Sequence, residues 1–109
     1  MKKVYVCSPL RGNNFSQHNM QKNIAKARLY CRDVLDKGHI PIAPHVYLTQ
    51  FMDDTIAEER EHAKKINVQL LDLCDELWIY GKEISEGMHE EIDYAIKNKK
   101  KLVFKGDRL

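Results

Sequence analysis

The sequence has little to brace a fold covalently or to anchor it in a membrane. It holds three cysteines, Cys7, Cys31 and Cys74, an odd number with no CxxC pair. That excludes a disulfide framework and a zinc ribbon. Each cysteine falls at an apolar position, so all three read as buried thiols in a reducing compartment, and the expected location is cytoplasmic. No apolar run approaches the ~20 residues of a membrane span. The start, Met1-Lys2-Lys3-Val4-Tyr5-Val6-Cys7, passes into a strand pattern with no signal-peptide hydrophobic region. HExxH is absent, and His62 and His89 lack metal-ligand spacing. His89, Glu90 and Glu91 are adjacent on a helix pattern and point apart. Neither a metal site nor a cofactor is expected. The net charge of +2 over 109 residues is mild, and no basic stripe is interleaved with aromatics, which argues against a nucleic-acid partner. The basic run at 97–101 falls where a helix should end and suits its dipole. No repeat, linker or low-complexity segment divides the chain, so residues 1–109 read as a single domain.

What is present is a regular alternation. Val4 to Cys7 forms a short β-rich run. The turn residues of 8–14 break it, and helical spacing then runs from about 17 to 37, with Ile24, Ala27, Cys31, Val34 and Leu35 on one face and Gly38 as terminator. Residues 40–43 form a second strand, placed at a sheet edge by Pro41, and Pro44 to Tyr47 lead out of it. A connection at 49–55 precedes a helix over 56–74, with Ala63, Ile66, Leu70 and Leu73 on its apolar face and Asn67 as a polar oddity beside them. Leu77 to Tyr80 is apolar throughout, as a central parallel strand should be. A last helix carries Met88, Ile92, Ala95 and Ile96 at helical spacing, and 101–104 is the final strand. Such alternation predicts an α/β fold, an open parallel sheet of four to five strands flanked by helices, with the flavodoxin/Rossmann-like order 2-1-3-4.

That order sets the loops after strands 1 and 3 face to face. The first loop has Ser8 and Gly12, with Arg11 as its charge. The second enters a helix at Ser85, whose hydroxyl can cap an early N–H. Gly87 and Met88 follow, where helix N–H groups make a seat for an anion. Glu91 lies about one turn further on, a position for a nucleophile or general base. His45 leaves strand 2 beside the same crevice. The residues alone leave open whether Ser85 is only a cap, Glu91 a solvated helix residue and His45 structural. The loops are neither a Walker A motif nor a GxGxxG motif.

Three phrases, Cys7-Ser8-Pro9-Leu10-Arg11-Gly12, Pro44-His45-Val46 and Ser85-x-Gly87-x-x-x-Glu91-Ile92-x-x-Ala95, together resemble the nucleoside 2-deoxyribosyltransferase-like superfamily. With Cys74-Asp75-Glu76-Leu77-Trp78 added, the wording resembles a small phage and bacterial branch related to deoxynucleoside monophosphate N-glycosidases. The resemblance implies that Glu91 attacks the anomeric carbon of a (deoxy)ribosyl group, that Ser8, Arg11, Gly12, Ser85, Gly87 and Met88 hold the substrate and its 5′-phosphate, and that His45 lies near sugar or phosphate. It places Asn67 where active members carry a catalytic Asp. It also implies a homodimer or homotetramer, for which Tyr47, Phe51 and Met52 are interface candidates. Two functions remain: an N-glycosidase or deoxyribosyltransferase using a Glu nucleophile, or a non-catalytic sensor or sequestering protein that keeps the nucleotide seat. The partner in both is a small nucleotide or nucleoside, with neither nucleic acid nor membrane involved.

Overall fold

A computed structural model describes residues 1–12 and 15–107. The far end of the first loop, at 13–14, and residues 108–109 lie outside the described residues. The element order is β1 (Lys3–Cys7), α1 (Gln17–Asp36), β2 (Ile40–Ile42), α2 (Pro44–Leu48), α3 (Ala57–Asp72), β3 (Glu76–Tyr80), α4 (Glu86–Lys97) and β4 (Lys101–Gly106). The four strands form one parallel sheet in the order β2-β1-β3-β4. The expected order is therefore observed, with four strands. β2, which contains Pro41, lies at an edge, where a missing N–H is tolerated.

Alternation along the two central strands divides the core. Val4, Val6, Trp78 and Tyr80 meet Tyr30 and Val34 of α1 on one face. Tyr5, Cys7, Leu77 and Ile79 meet Leu71 of α3 and Met88, Ile92 and Ala95 of α4 on the other. Burial of both faces explains why β3 reads as a continuous apolar run.

Several helix faces differ from the sequence expectation. On α1 the buried residues include Tyr30 and Asp33, whereas Leu35 is exposed. Asp33 is tolerated inside because Tyr80 donates to it at 2.7 Å and Lys37 at 2.7 Å. On α3 the inward residue is Leu71, and Leu73 is 66% exposed. The helix is thus rotated so that Asn67, one turn before Leu71, faces inward. Ile96 is exposed and Cys31 only half-buried; Cys7 and Cys74 are buried as expected. The exit from β2 is itself a short helix, α2, started by a buried Pro44 whose fixed φ suits a first helical position. The phrase Asp75-Glu76 is structural: Asp75 accepts from the Lys3 N–H at 2.8 Å, and buried Glu76 accepts from Lys2 at 2.6 Å and Trp78 at 2.9 Å. No helix among the described residues is long and apolar enough to cross a membrane.

Candidate functional site

The loops after β1 and β3 open into one cleft of about 450 Å³, walled on the far side by α2 and α3. That volume lies within the usual range of small-ligand sites. Ser8, Arg11, Gly12, His45, Asn67, Ser85, Gly87, Met88 and Glu91 all line it. The topology thus brings together every site residue named from sequence, although they come from four separate stretches of chain.

The floor is set by β1 and α4. Tyr5 points from β1 to the α4 face, and its hydroxyl donates to Glu91 Oε2 at 2.5 Å. Burial pushes the Glu91 carboxyl up to about 7; hydrogen bonds from Tyr5 and Cys7 pull it down, and the Glu90 charge adds to the rise. Burial, followed by the Glu91 charge, holds the Cys7 thiol well above its ordinary value, so Cys7 is an uncharged packing residue. Tyr5 was not identified from sequence. The available signal was a tyrosine in a strand buried on both faces, where its hydroxyl needs a partner.

At the start of α4 the Ser85 hydroxyl accepts from the Met88 N–H at 3.3 Å, so the expected cap is present. Gly87 has an ordinary φ, and a Cβ there would meet nothing within 4 Å. The fold therefore does not require glycine at this position, and its bareness leaves room on the cleft side. Gly12 does need glycine, with φ +72, and its loop is tied down by Asn23, which donates to the Leu10 carbonyl at 2.9 Å.

His45 and Ser8 are hydrogen-bonded at 3.0 Å between Nε2 and Oγ. Burial lowers His45 to about 4, so its ring is neutral at physiological pH. Arg11 does not stand unpartnered. Its Nε lies 3.0 Å from Asp54 Oδ2, and its guanidinium carbon is 4.0 Å above the Phe15 ring. Burial raises the Asp54 carboxyl, and Arg11 opposes the rise. Asp54 lies in the 49–55 connection, where no periodicity or motif marks it. Asn67 Oδ1 is buried without a hydrogen-bond partner among the described residues. Asp72, the nearest acid along α3, is not in the cleft; it accepts from Tyr94 at 2.6 Å. Among the described residues no cluster of three or more His, Cys, Asp or Glu side chains is arranged to hold a metal ion.

No curated protein matches the chain. Among solved structures, the chain is similar to 2-deoxyribosyltransferase from the psychrotolerant bacterium Bacillus psychrosaccharolyticus. The TM-score is 0.66 at 20% identity, covering 95% of this chain and 72% of that one. At that identity the likeness establishes a shared fold. Residues 2–105 match the family described as Domain of unknown function (DUF7768), and the chain belongs to that family.

Proposed function

We propose that the cleft breaks the N-glycosidic bond of a nucleoside or nucleotide, with Glu91 as the attacking carboxylate. The observation that carries this reading is the half-buried Glu91 carboxyl, pushed up to about 7 and aimed by Tyr5 in the wall of the cleft. A desolvated carboxylate fixed by one hydrogen bond is suited to stabilise an oxocarbenium-like centre and then bond to it. The acceptor is water for a glycosidase or a second base for a transferase. Ser85, Gly87 and Met88 form the phosphate seat in this reading. Ser8, Arg11, Gly12 and neutral His45 face the sugar and its 5′ end, with Arg11 exchanging Asp54 for the incoming anion. Asn67 faces the departing base. The two-faced α/β fold shared with a 2-deoxyribosyltransferase supports the same reading.

The test is a chromatographic screen for base release from the common nucleosides and their 5′-monophosphates, with thermal shift measured on the same samples. Base release supports an enzyme. A thermal shift without base release supports the non-catalytic nucleotide-binding protein instead.

Two substitutions probe the parts separately. Gly87→Ala is expected to leave stability unchanged or raise it by about 0.5–1 kcal/mol, since alanine is the better helix former. Its methyl group enters the anion seat, so nucleotide affinity should fall at least tenfold by titration calorimetry while the melting temperature holds. Tyr5→Phe removes a donor that favours the charged form of Glu91. The Glu91 pKa should rise, and the ascending limb of the kcat/KM pH profile should move up by about one unit.

A homodimer or homotetramer belongs to this proposal as well. Tyr47 and Phe51 are exposed beside the cleft, with ring centroids 6.2 Å apart, and Phe51 is 70% exposed. If they meet a second copy, Phe51→Asp shifts the mass towards monomer in size-exclusion light scattering. An unchanged mass removes that face from consideration.

A further inference from the structure

We infer that the substrate is a cationic N-glycoside, a pyridinium nucleoside carrying a carboxamide, whose base leaves without being protonated. This inference rests on the glycosidic reading of Glu91 and adds the leaving group. Three observations carry it.

The first is Asn67. It lines the cleft with a buried Oδ1 that has no partner among the described residues. A buried acceptor without a donor is a cost that a ligand N–H removes. An amide side chain offers an acceptor beside a donor, and a carboxamide presents the matching donor beside an acceptor. Asparagine cannot deliver a proton to a departing base.

The second is the absence of a replacement acid. Asp54 is held by Arg11 at 3.0 Å; burial raises its carboxyl and Arg11 opposes the rise, so its near oxygen is committed to the Arg11 pair instead of to a departing base. Asp53, Glu86 and Glu90 are exposed, Glu59 accepts from the Asp53 N–H at 3.3 Å, and Glu91 is already assigned to the attack.

The third is the sign of the cleft. Six carboxyl groups line it (Asp53, Asp54, Glu59, Glu86, Glu90 and Glu91), against three cations, Arg11, Arg60 and Lys64. The whole chain carries +2. A concave, net-negative site in a net-positive protein favours a cationic ligand.

The chemistry balances without an acid. A Glu91 oxygen bonds to the anomeric carbon as the bond from that carbon to the pyridinium nitrogen breaks. The bonding pair returns to nitrogen, and the base leaves neutral. Water then displaces Glu91 from the anomeric carbon. The products are free sugar, neutral pyridine and one proton released to solvent.

The experiment compares nicotinamide riboside and nicotinamide mononucleotide with the purine and pyrimidine nucleosides and 5′-monophosphates. Base release is followed by chromatography for wild type and Asn67→Asp. The expected result is cleavage of a pyridinium substrate at least a hundredfold more efficient than of any neutral base. Its kcat/KM should rise through about pH 7 to a plateau, with no descending limb from an essential acid. Asn67→Asp, nearly isosteric, should move the preference at least tenfold towards neutral bases. Purine or pyrimidine release by wild type with the pyridinium substrates untouched would overturn this inference and leave the N-glycosidase reading intact. Cleavage of neither class would overturn both. The riboside and mononucleotide arms report whether the 5′-phosphate is needed.

Discussion

Glu91→Gln is expected to raise the melting temperature at pH 8 and to leave it unchanged at pH 4. In the folded chain burial holds the Glu91 carboxyl at about 7, against an ordinary 4.5. Between those values the folded state binds a proton that the unfolded state has released. Stability therefore falls as pH rises through that window, and above it the folded chain carries the full penalty of a buried charge. A shift of that size corresponds to about 3–3.5 kcal/mol. Glutamine keeps an oxygen to accept from Tyr5 and removes the charge. The variant should gain roughly 15 °C in melting temperature at pH 8, and the gain should vanish below pH 4.5, where wild type is also neutral. A gain independent of pH would show that the carboxylate is not strained by burial. Stability given up at one carboxylate is what a poised nucleophile requires.

The second large effect lies on the opposite face of the sheet. Asp33 is 8% exposed and accepts from Tyr80 and Lys37, with Lys105 at 3.4 Å. Tyr80 stacks on Tyr30 at 4.4 Å. Asp33→Ala leaves the Tyr80 hydroxyl without its acceptor and opens a gap beside the stacked rings. The expected loss is about 3 kcal/mol in urea unfolding, most of it from the unsatisfied hydroxyl and the lost packing. Lys37 adds little, because its side chain is half-exposed. Asp33→Asn keeps an acceptor and should cost no more than about 1–1.5 kcal/mol. Equal losses in the two variants would place the contribution in charge instead of in the hydroxyl's partner.

These two carboxylates also mark where the sequence could be read and where it could not. Strand order followed from alternation, the apolar run of β3 and Pro41 at an edge, so the meeting of the Arg11 loop, His45 and the Ser85 helix could be read before any coordinates. Ser85 and Gly87 were legible because capping and close approach are local properties. Asp33 and Tyr5 were not. Each is polar within an apolar pattern and makes sense only through a partner distant in sequence, Tyr80 for one and Glu91 for the other. Leu35, Leu73 and Ile96 read as core and are exposed. Each lies at the margin of an amphipathic stripe, where periodicity cannot fix helix rotation to within one residue. The rotation of α3 has the largest functional consequence, since it turns Asn67 into the cleft. The Arg11–Asp54 pair depends on the path of the 49–55 connection, which has no pattern to read.

The most direct measurement is the rate of base release by wild type and Glu91→Gln, side by side at pH 8, on whichever substrate the screens identify. The expected result is a loss of at least a thousandfold in kcat from a variant that is folded and more stable than wild type. A loss of less than tenfold, with substrate still turned over, would contradict Glu91 as the attacking group and return the cleft to a search for another nucleophile.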